Sequence, residues 1–573
     1  MIVHHVNLSL FVSRGEKNSM PNNPAYQEYE KWLQKADESL KEELKAIKNS
    51  PEEIEKRFHK ELSFGTGGIR GIIGAGTAMM NIHVVRRATQ GLANYGKKIS
   101  KADSAVICYD TRKFSREFAV ESAKVLMANG FRVYVFDESR PTPMLSFAVR
   151  ELKVDWGIVI TASHNPPQYN GFKVYLSNGV QATPEFTNGI SAEIEKLDYF
   201  DDVKVSESEP LWLNADEFDE VYLKELQKFL KGFNTDDVGL KVLYTPLHGS
   251  GFKPVSKALK FLGIDFQMVD SQVTLDGAFP TVSRPNPEER EAFEEALKFA
   301  EKSTNSFDLI IATDPDCDRM GVMYRKDEKY ELLTGNEIGV LILDYLLNST
   351  ELKENSFVVK TIVTTDLVKP MCEERDIELL ETLTGFKFIG QKIEEKVSSG
   401  GNFLFAFEES YGYLAGDFVR DKDGIIASVL MVLTFNWLKK QDKSPKKKLN
   451  ELSEKYGYFK EILLNFEFEP QGFEKIIQNI MRFFRNSPPE SIGSLALTKT
   501  IDHLKLKNEL SGDVLQLIYG DNLRVIVRPS GTEPKLKIYV KVNSNSEKTS
   551  VEILENSKQI LRKTVEKISL QKF

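Results

Sequence analysis

The sequence of 573 residues has few cysteines and no long apolar segment. Its three cysteines, Cys108, Cys317 and Cys372, are widely separated and form no Cys-x-x-Cys pair. This argues against a disulfide framework and against a zinc knuckle. The longest nearly apolar run, residues 424–438, is shorter than the roughly 20 residues that a membrane-spanning helix needs. We therefore predict that this run is a buried helix, and that the protein has no membrane partner.

An excess of positive charge is also lacking. The chain carries 76 Lys and Arg against 84 Asp and Glu, a net charge of −8, with a pI of about 5.7. This balance argues against a nucleic-acid partner. The content of 41% hydrophobic and 28% charged residues is typical of a soluble globular protein, which we expect to be cytoplasmic. The length predicts about three to five domains.

The first 20 residues differ from the rest, and we predict that they form a disordered extension. Their apolar part is short, and the first positive charge, Arg14, follows it, which is the reverse of a signal peptide. Met20 is a second possible start. The next segment, Pro24–Phe58, is rich in Glu and Lys at helical spacing and predicts a solvated helical arm.

From residue 105 onward, apolar strands alternate with helical patterns. This βαβ rhythm predicts mostly parallel sheets with crossover helices, and it occurs in three parts of the chain before a strand-rich C-terminal part. The basic segment Lys443–Lys448 is interpreted as a linker before that last part. The predicted units are three similar α/β domains and a C-terminal α+β domain, at residues 21–215, 216–325, 326–450 and 451–573.

Three apolar strands each run directly into a polar cluster. They lie within Gly157–Asn165, Leu309–Arg319 and Phe403–Ser410, one in each α/β unit. Ligands of open parallel sheets bind outside the carboxyl ends of the strands. We therefore expect these three clusters to line one shared cleft.

The second cluster places carboxylates at alternate positions, Asp314, Asp316 and Asp318. All three can face one hard cation, and an all-oxygen set favours Mg²⁺ or Ca²⁺ over Zn²⁺. Without a cation, or Arg319 beside them, the carboxylates would repel one another. The frame of an EF-hand is absent.

The first cluster combines a hydroxyl, an imidazole and an ammonium group. Ser163 is a candidate nucleophile or phosphate carrier. His164 and Lys173 are candidate proton carriers and phosphate-binding charges. In the third cluster, Glu408, Glu409 and Ser410 offer acceptors that match sugar hydroxyls.

Two further segments have the composition of anion-binding loops. Gly65–Gly71 contains several glycines and Arg70, but it lacks the Gly-Lys-Ser/Thr of a P-loop. Arg528–Lys535 lies between two alternating strands and supplies a guanidinium, two hydroxyls and free amides, which suit a phosphate.

Together these segments resemble the α-D-phosphohexomutase family over nearly the whole chain. The similar segments are the family's phosphoserine loop (Thr161–Lys173), Mg²⁺ loop (Asp314–Arg319), sugar loop (Glu408–Ser410) and phosphate loop (Arg528–Thr532). Three more motifs resemble the phosphoglucomutase and phosphopentomutase branch: Thr245–Gly249, Thr384–Lys387 and Gly416–Gly424.

The resemblance implies four domains around a central cleft, three α/β domains with mixed sheets and a C-terminal α+β domain. It implies a monomer that interconverts glucose 1-phosphate and glucose 6-phosphate, a small-molecule sugar phosphate, through a phosphoserine and glucose 1,6-bisphosphate as activator and intermediate. It also implies one Mg²⁺ per chain. The implied catalytic residues are Ser163, His164, Lys173, Lys387 and Arg70, and the implied metal ligands are Ser163, Asp314, Asp316 and Asp318. The implied substrate contacts are Arg319, Thr384, Gly385, Glu408, Ser410, Arg528, Ser530, Gly531, Thr532 and Lys537.

Alternatives stay open at this point. Phosphopentomutase is the main one, followed by phosphomannomutase and a metal-dependent sugar phosphatase; a non-catalytic phosphosugar-binding protein is a further reading. Two positions depart from the family pattern. Cys317 stands where Gly or Ala is common, and would make activity sensitive to oxidation if it were exposed. Phe407 replaces a common Gly, which leaves the sugar specificity open.

Overall fold

The computed structural model describes residues 2–8, 23–65, 68–235, 237–469, 472–506, 510–530 and 534–570, the first of these segments as backbone only. Residues 2–8 form a strand, β1 (Ile2–Leu8). Among the described residues, no helix is long and apolar enough to cross a bilayer. The structure forms four sheets with their covering helices, as the sequence predicts.

The first domain is a mixed sheet with helices on both faces. Its strand order is β2-β6-β5-β3-β4-β7, in which β5, β3, β4 and β7 are parallel and β6 is antiparallel to both of its neighbours. The elements are α1 (Pro24–Lys35), α2 (Glu38–Ala46), α3 (Pro51–Phe58), β2 (Ile69–Ile72), α4 (Ile82–Ser100), β3 (Ser104–Tyr109), α5 (Ser115–Ala128), β4 (Arg132–Phe136), α6 (Thr142–Leu152), β5 (Trp156–Ile160), β6 (Tyr169–Leu176), α7 (Pro184–Ile194) and β7 (Leu211–Leu213).

The three N-terminal helices are part of this domain, so the prediction of a solvated arm was wrong. Helix α1 begins where Asn23 accepts a hydrogen bond from the N–H of Ala25, and Pro24 occupies the first helical turn. One face of the helices is apolar, and Trp32 and Ile54 are fully buried in the core of the domain. Burial of the apolar face stabilises the packing of these helices on the sheet, while their charged face stays in contact with solvent.

The second domain has the strand order β12-β11-β10-β8-β9. Strand β10 is parallel to β8 and antiparallel to β11. Its elements are α8 (Ala215–Phe229), β8 (Lys241–Thr245), α9 (Phe252–Phe261), β9 (Asp265–Met268), α10 (Glu294–Lys302), β10 (Leu309–Thr313), β11 (Met320–Lys326) and β12 (Lys329–Leu332).

The third domain has the strand order β14-β13-β15-β16. Its elements are α11 (Gly335–Ser349), β13 (Ser356–Thr361), α12 (Val368–Glu373), β14 (Glu378–Thr382), α13 (Phe386–Ser398), β15 (Asn402–Glu408), β16 (Gly412–Leu414), α14 (Gly424–Lys439) and α15 (Pro445–Tyr456). Helix α14 is buried along nearly all its length, which confirms the predicted buried helix. Helix α15 contains most of the predicted basic linker, so the predicted boundary after residue 450 falls inside a helix.

The C-terminal domain is an antiparallel sheet to which β1 adds one parallel edge strand. The order is β1-β17-β22-β21-β20-β19-β18. The remaining elements are β17 (Tyr458–Phe468), α16 (Phe473–Asn486), β18 (Ser491–Ile492), β19 (Leu495–Asp502), β20 (Leu515–Tyr519), β21 (Leu523–Pro529), β22 (Lys535–Ser544) and α17 (Glu547–Ser569). For residues 2–8 the prediction of a disordered extension was therefore wrong; residues 9–20 lie outside the described part of the chain.

The first three domains share one apolar core. Phe147 of α6, Tyr222 of α8 and Phe418 after β16 meet edge to face, with ring centroids 5.3–6.1 Å apart. Each ring belongs to a different domain, and aromatic contacts of this kind add to the stabilisation from burial. The core therefore fixes the relative positions of the three strand ends that carry the polar clusters.

Candidate active site

The loops that follow β5 and β10 meet at Ser163. The Ser163 hydroxyl donates to Asp314 Oδ2 at 2.8 Å, and its Oγ lies 3.1 Å from Nδ1 of His164. Ser163 and Asp314 come from different domains and are 151 positions apart in the sequence. The structure therefore places the predicted phosphate carrier against the predicted metal cluster.

The three aspartates form one buried cluster. One oxygen from each of Asp314, Asp316 and Asp318 lies within 4.8 Å of the others, and all three residues are buried. Oδ1 of Asp316 and Oδ1 of Asp318 are buried without a hydrogen-bond partner among the described residues. Buried carboxylate oxygens that lack donors are costly unless a cation satisfies them. The donor set therefore fits a hard divalent cation.

The other oxygens of this cluster are held by residues from two further domains. Asp316 Oδ2 accepts from the hydroxyl of Thr142 at 2.9 Å and from the ammonium of Lys173 at 3.0 Å. Asp318 Oδ2 lies 3.1 Å from the ammonium of Lys422, which belongs to the third domain. Asp316 and Asp318 are thus each fixed through one oxygen and keep the second available.

Electrostatic coupling within the cluster is strong. Burial, together with the neighbouring charges of Asp316 and Asp318, raises the pKa of Asp314 well above its usual range. Burial also acts to raise the pKa of Asp316, but Lys173 overcomes this effect and holds it well below its usual range. The protein's own cations thus stabilise part of the negative charge of the cluster, while burial and the like charges of Asp316 and Asp318 disfavour ionisation of Asp314.

Backbone groups shape the metal loop. Asp314 Oδ1 accepts from the backbone N–H groups of Asp318 and Arg319 at 3.1 and 3.0 Å. Cys317 has a left-handed φ of 49° and is fully buried. Burial, with the nearby charge of Asp314, raises the pKa of its thiol well above the usual range. Because the thiol is neither exposed nor acidic, the condition for oxidation sensitivity is not met.

The two adjacent glutamates after β15 have different environments. Glu409 Oε2 accepts from the hydroxyls of Thr361 and Thr364 at 3.3 and 3.2 Å, which fixes it to the carboxyl end of β13 in the same domain. Burial raises the pKa of Glu408 to about 7, against the opposing effect of Lys422. A hydrogen bond with Ser410 acts in the lowering direction. Glu408 and Ser410 are thus coupled on the sugar loop.

Phe407 does not narrow the cleft. Its side chain is fully buried, stacks on Phe405 with ring centroids 5.5 Å apart, and lies against Gly339 of α11. A Cβ on Gly339 would lie about 2.1 Å from the Phe407 ring, so this glycine makes the room that Phe407 needs. The presence of Phe407 in place of the family's common Gly therefore changes the packing of the core and not the cleft.

The predicted phosphate loop is described only in part. Arg528 and Ser530 lie at the end of β21, where the Ser530 N–H donates to the carbonyl of Lys535 at 2.8 Å, while Gly531 and Thr532 lie outside the described residues. Lys537 pairs with Arg528 across β21 and β22.

Lys387 lies beside this loop. Burial, together with the charge of Arg528, lowers the pKa of Lys387 to about 8. The Thr384 hydroxyl oxygen, close to Lys387 in the sequence, is buried without a hydrogen-bond partner among the described residues. Gly385 has a φ of 122°, which a residue with a side chain rarely adopts. Two adjacent cations and a free hydroxyl are suited to an anionic group.

Two arginines border the phosphoserine loop. Arg70 Nη1 donates to Asn165 Oδ1 at 2.9 Å, and Arg319 forms an ion pair with Glu288. Burial and these two guanidinium groups lower the pKa of His164 well below its usual range, so the imidazole is neutral near pH 7.

Sequence comparisons agree with this geometry. Models of the phosphoglucomutase/phosphomannomutase family match its alpha/beta/alpha domains I, II and III at residues 61–200, 220–327 and 334–456, and its C-terminal domain at residues 499–552. A phosphoglucomutase of Staphylococcus aureus (strain N315) is 35% identical over 531 residues, which cover 89% of this chain and 95% of that protein. The chain belongs to this family. The predicted resemblance is confirmed, and the reaction class is that of a mutase.

Further relatives span the same length. A phosphoglucomutase of Staphylococcus haemolyticus (strain JCSC1435) is 36% identical over 520 residues, covering 87% of this chain and 94% of that protein. Among solved structures, the phosphoglucomutase pp63/parafusin of Paramecium, in its open form, has a TM-score of 0.65 at 16% identity and covers 88% of this chain and 96% of that one. The predicted fold of the phosphohexomutases is thus confirmed.

Sequence reasoning missed several residues of this phosphohexomutase site. Thr142, Lys422 and Glu288 each hold a predicted site residue from another part of the chain, and Arg112 holds the phosphoserine loop. Lys422 could have been predicted as a site residue, because it lies in the motif Gly416–Gly424 that resembles the family. For Thr142, Glu288 and Arg112, the neighbouring sequence contains no motif that indicates which residues they contact.

Proposed function

We propose that the protein is a phosphoglucomutase, which interconverts α-D-glucose 1-phosphate and glucose 6-phosphate. The observation that carries this proposal is the hydrogen bond from Ser163 to the buried Asp314 of the carboxylate cluster. A hydroxyl in that position suits a phosphoryl carrier beside a cation. Relatives named phosphoglucomutase, at 35% identity over most of the chain, support the choice of glucose.

The metal ligands would be Asp314, Asp316 and Asp318 together with a phosphoryl oxygen on Ser163. An all-oxygen donor set suits Mg²⁺, and one cluster supports one ion per chain. A bound Mg²⁺ would neutralise charge that develops on the phosphoryl group during transfer.

In the proposed reaction, Ser163 carries the phosphoryl group as phosphoserine. The 6-hydroxyl of glucose 1-phosphate attacks it, so that a new O–P bond forms at the sugar as the O–P bond at Ser163 breaks. The product is glucose 1,6-bisphosphate. After this intermediate reverses its orientation, the 1-phosphoryl group returns to Ser163 and glucose 6-phosphate is released. The hydroxyl proton is exchanged between the sugar and the protein in each step.

His164 is the residue we propose for holding that proton. Its Nδ1 lies 3.1 Å from Ser163 Oγ, and its imidazole is neutral. Lys173, the other candidate in this loop, already donates to Asp316, and we assign it to holding that carboxylate. We assign Arg70 and Arg319 to orienting the phosphoserine, because both lie beside the loop that carries Ser163. Lys387 is assigned to phosphate binding, because it shares its surroundings with Arg528.

For substrate recognition, we propose that Glu408 and Ser410 bind ring hydroxyls in either orientation of the intermediate. The phosphate distal to Ser163 would bind the loop that begins at Arg528. The proposed contacts on that side are Thr384, Gly385, Lys387, Arg528, Ser530, Gly531, Thr532 and Lys537. We expect a monomer in the cytoplasm, and light scattering on the purified protein tests the first point.

The test is a coupled glucose 6-phosphate dehydrogenase assay on wild-type protein, Ser163→Ala and the control Ser177→Ala, whose residue is exposed and outside the site. Wild type and Ser177→Ala should convert glucose 1-phosphate, and Ser163→Ala should lose activity by more than about 1,000-fold, because loss of a covalent carrier removes the route. Full activity in Ser163→Ala would contradict the proposal. Faster turnover of ribose 1-phosphate or mannose 1-phosphate would reassign the sugar, and release of inorganic phosphate without isomer would indicate a phosphatase.

A further inference from the structure

The backbone of Ser163 is held in an uncommon conformation. Its φ is +52°, in the left-handed region that residues with a side chain rarely adopt. Such a conformation persists only where the surroundings impose it. The guanidinium of Arg112 lies under the loop and donates to four of its carbonyl oxygens. These are the carbonyls of Ser163 and Asn165, and those of Pro166 at 2.8 Å and Tyr169 at 3.1 Å.

Asp110 holds the other side of the same residue. Its Oδ2 accepts from the hydroxyl of Thr161 at 2.6 Å, and the Thr161 oxygen in turn accepts from the N–H of Ser163 at 2.8 Å. Asp110 also accepts from the backbone N–H of Arg112 at 3.0 Å, and its Oδ2 lies 3.2 Å from Nε of that guanidinium. The carbonyl of Ser163 is therefore fixed by Arg112, and its N–H is fixed by Asp110 through Thr161.

The Asp110–Arg112 pair is fully buried and takes no part in the mechanism above. It lies at the seam of the first two domains, where the Arg112 guanidinium is 5.0 Å from the ring centroid of Phe279. Gly277 pairs with Arg112 in an isolated bridge, and a Cβ at Gly277 would lie about 2.4 Å from the Lys113 nitrogen. A buried ion pair seldom adds stability over an apolar pair of the same volume, so a role in specifying one conformation accounts for it better.

We propose that Asp110 and Arg112 are positioning residues that hold Ser163 in its left-handed conformation and so direct Oγ toward Asp314. The inference rests on the proposed function, because it takes Ser163 as the phosphoryl carrier. Relaxation of φ toward the common region would turn Oγ away from Asp314. A displacement of about 1 Å at a reacting atom can lower a rate by about 100-fold. The sugar loop and the phosphate loop make none of these contacts, so substrate binding should not change.

The test measures the rate at which glucose 1,6-bisphosphate phosphorylates Ser163 in a single turnover. The added phosphoryl group is detected by mass spectrometry of the intact protein. In that step the O–P bond to Ser163 forms, a sugar O–P bond breaks, and the serine proton passes to the sugar oxygen. The decisive pair is Thr161→Val, which removes the bridging hydroxyl, and Thr161→Ser, which retains it. Arg112→Lys is a second variant, which keeps the charge and loses most of the carbonyl contacts.

Thr161→Val and Arg112→Lys should lower the rate of phosphorylation and kcat by about 10- to 100-fold, with KM for glucose 1-phosphate within about twofold of wild type. Thr161→Ser should recover most of the rate. Phosphorylation of Thr161→Val at the wild-type rate, or a rise in KM that accounts for the loss, would overturn the inference. If Arg112→Lys does not fold, the Thr161 pair decides alone. If wild-type Ser163 takes up no phosphoryl group, the proposed function itself fails, which is a distinct result.

Discussion

Lys387 should reduce the stability of the substrate-free protein while it serves substrate binding. Its ordinary pKa of 10.5 falls to about 8 because the ammonium is buried and lies near the charge of Arg528. One unit of pKa corresponds to about 1.4 kcal/mol, so this lowering of the pKa corresponds to about 3 kcal/mol. Near pH 7, where Lys387 is charged, the folded state is destabilised by that amount. The side chain is only 5% exposed, so water screens little of this cost.

The perturbation is Lys387→Met, which keeps a long side chain and removes the charge. The variant should be more stable than wild type at pH 7, by up to about 3 kcal/mol. The sign of the pH dependence follows from the lowered pKa. The cost is fully present below pH 8, and it is lost between about pH 8 and pH 10.5, because there the folded protein releases the proton before the unfolded chain does. The advantage of the variant should therefore shrink as the pH rises.

The assay compares midpoints of thermal unfolding at pH 7 and pH 9.5 for wild type, Lys387→Met and the control Lys396→Met. Lys396 lies on the same helix, and its ammonium is 2.6 Å from Glu378 in a partly exposed ion pair. Such a pair contributes about 0–1 kcal/mol, so this control should change little. A less stable Lys387→Met at pH 7, or an advantage that does not depend on pH, would refute the reasoning.

The same residue makes a prediction about binding. Glucose 1-phosphate should raise the unfolding midpoint of wild type more than that of Lys387→Met, because in the proposed function Lys387 binds the phosphate through its ammonium. The ratio kcat/KM of wild type should fall above pH about 8, as Lys387 loses its charge. A ratio that rises through pH 8 would instead assign Lys387 as a general base.

Three further predictions concern other parts of the molecule. Removal of divalent metal with EDTA should abolish activity and lower the unfolding midpoint, and Mg²⁺ at 100 times its Kd should restore about 2.7 kcal/mol in wild type but not in Asp316→Asn. Arg528→Ala should raise KM for glucose 1-phosphate by at least about tenfold with little change in the midpoint, and equal effects on both would indicate a structural role. Lys541→Met should raise the unfolding midpoint at pH 7 and lose this advantage between about pH 8 and pH 10.5, because burial and the charge of Lys360 lower the pKa of Lys541 to about 8, although its ammonium donates to Asp366 at 2.7 Å and to two backbone carbonyls of the third domain. Calorimetry at pH 7 and pH 9.5 should show this change, and a lower midpoint of Lys541→Met at pH 7 would contradict it.

The parts of the site that the sequence predicted are those with local signals. Asp314, Asp316 and Asp318 follow one strand at alternate positions, so their chemistry could be read without any knowledge of the fold. The position of Ser163 at the end of another strand, with the rule that such ends share one edge, predicted that the loops meet. Direct contact between Ser163 and Asp314 could be found only in the structure, since the two residues are 151 positions apart and meet through the packing of their domains.

Burial of the N-terminal helices could not be predicted from charge pattern alone. Helices α1 to α3 are rich in Glu and Lys, and this composition favours a solvated segment. Their few apolar side chains are nevertheless decisive, because Trp32 is fully buried and contacts the aromatic rings of Phe58, Tyr199 and Phe200. A small number of large buried rings contributes more free energy than many exposed charges, which each contribute little.

The metal cluster links the domains energetically as well as geometrically. Asp316 is held by Thr142 and Lys173 of the first domain, and Asp318 is held by Lys422 of the third. These contacts hold the three carboxylates close together, so their negative charges repel one another. The ammonium groups of Lys173 and Lys422 offset this repulsion only in part. A divalent cation bound to these carboxylates would remove the remaining repulsion, and it would bind most tightly to the arrangement in which all three domains are in contact. By thermodynamic linkage, the same cation must then stabilise those domain contacts, so metal affinity and domain assembly rise or fall together.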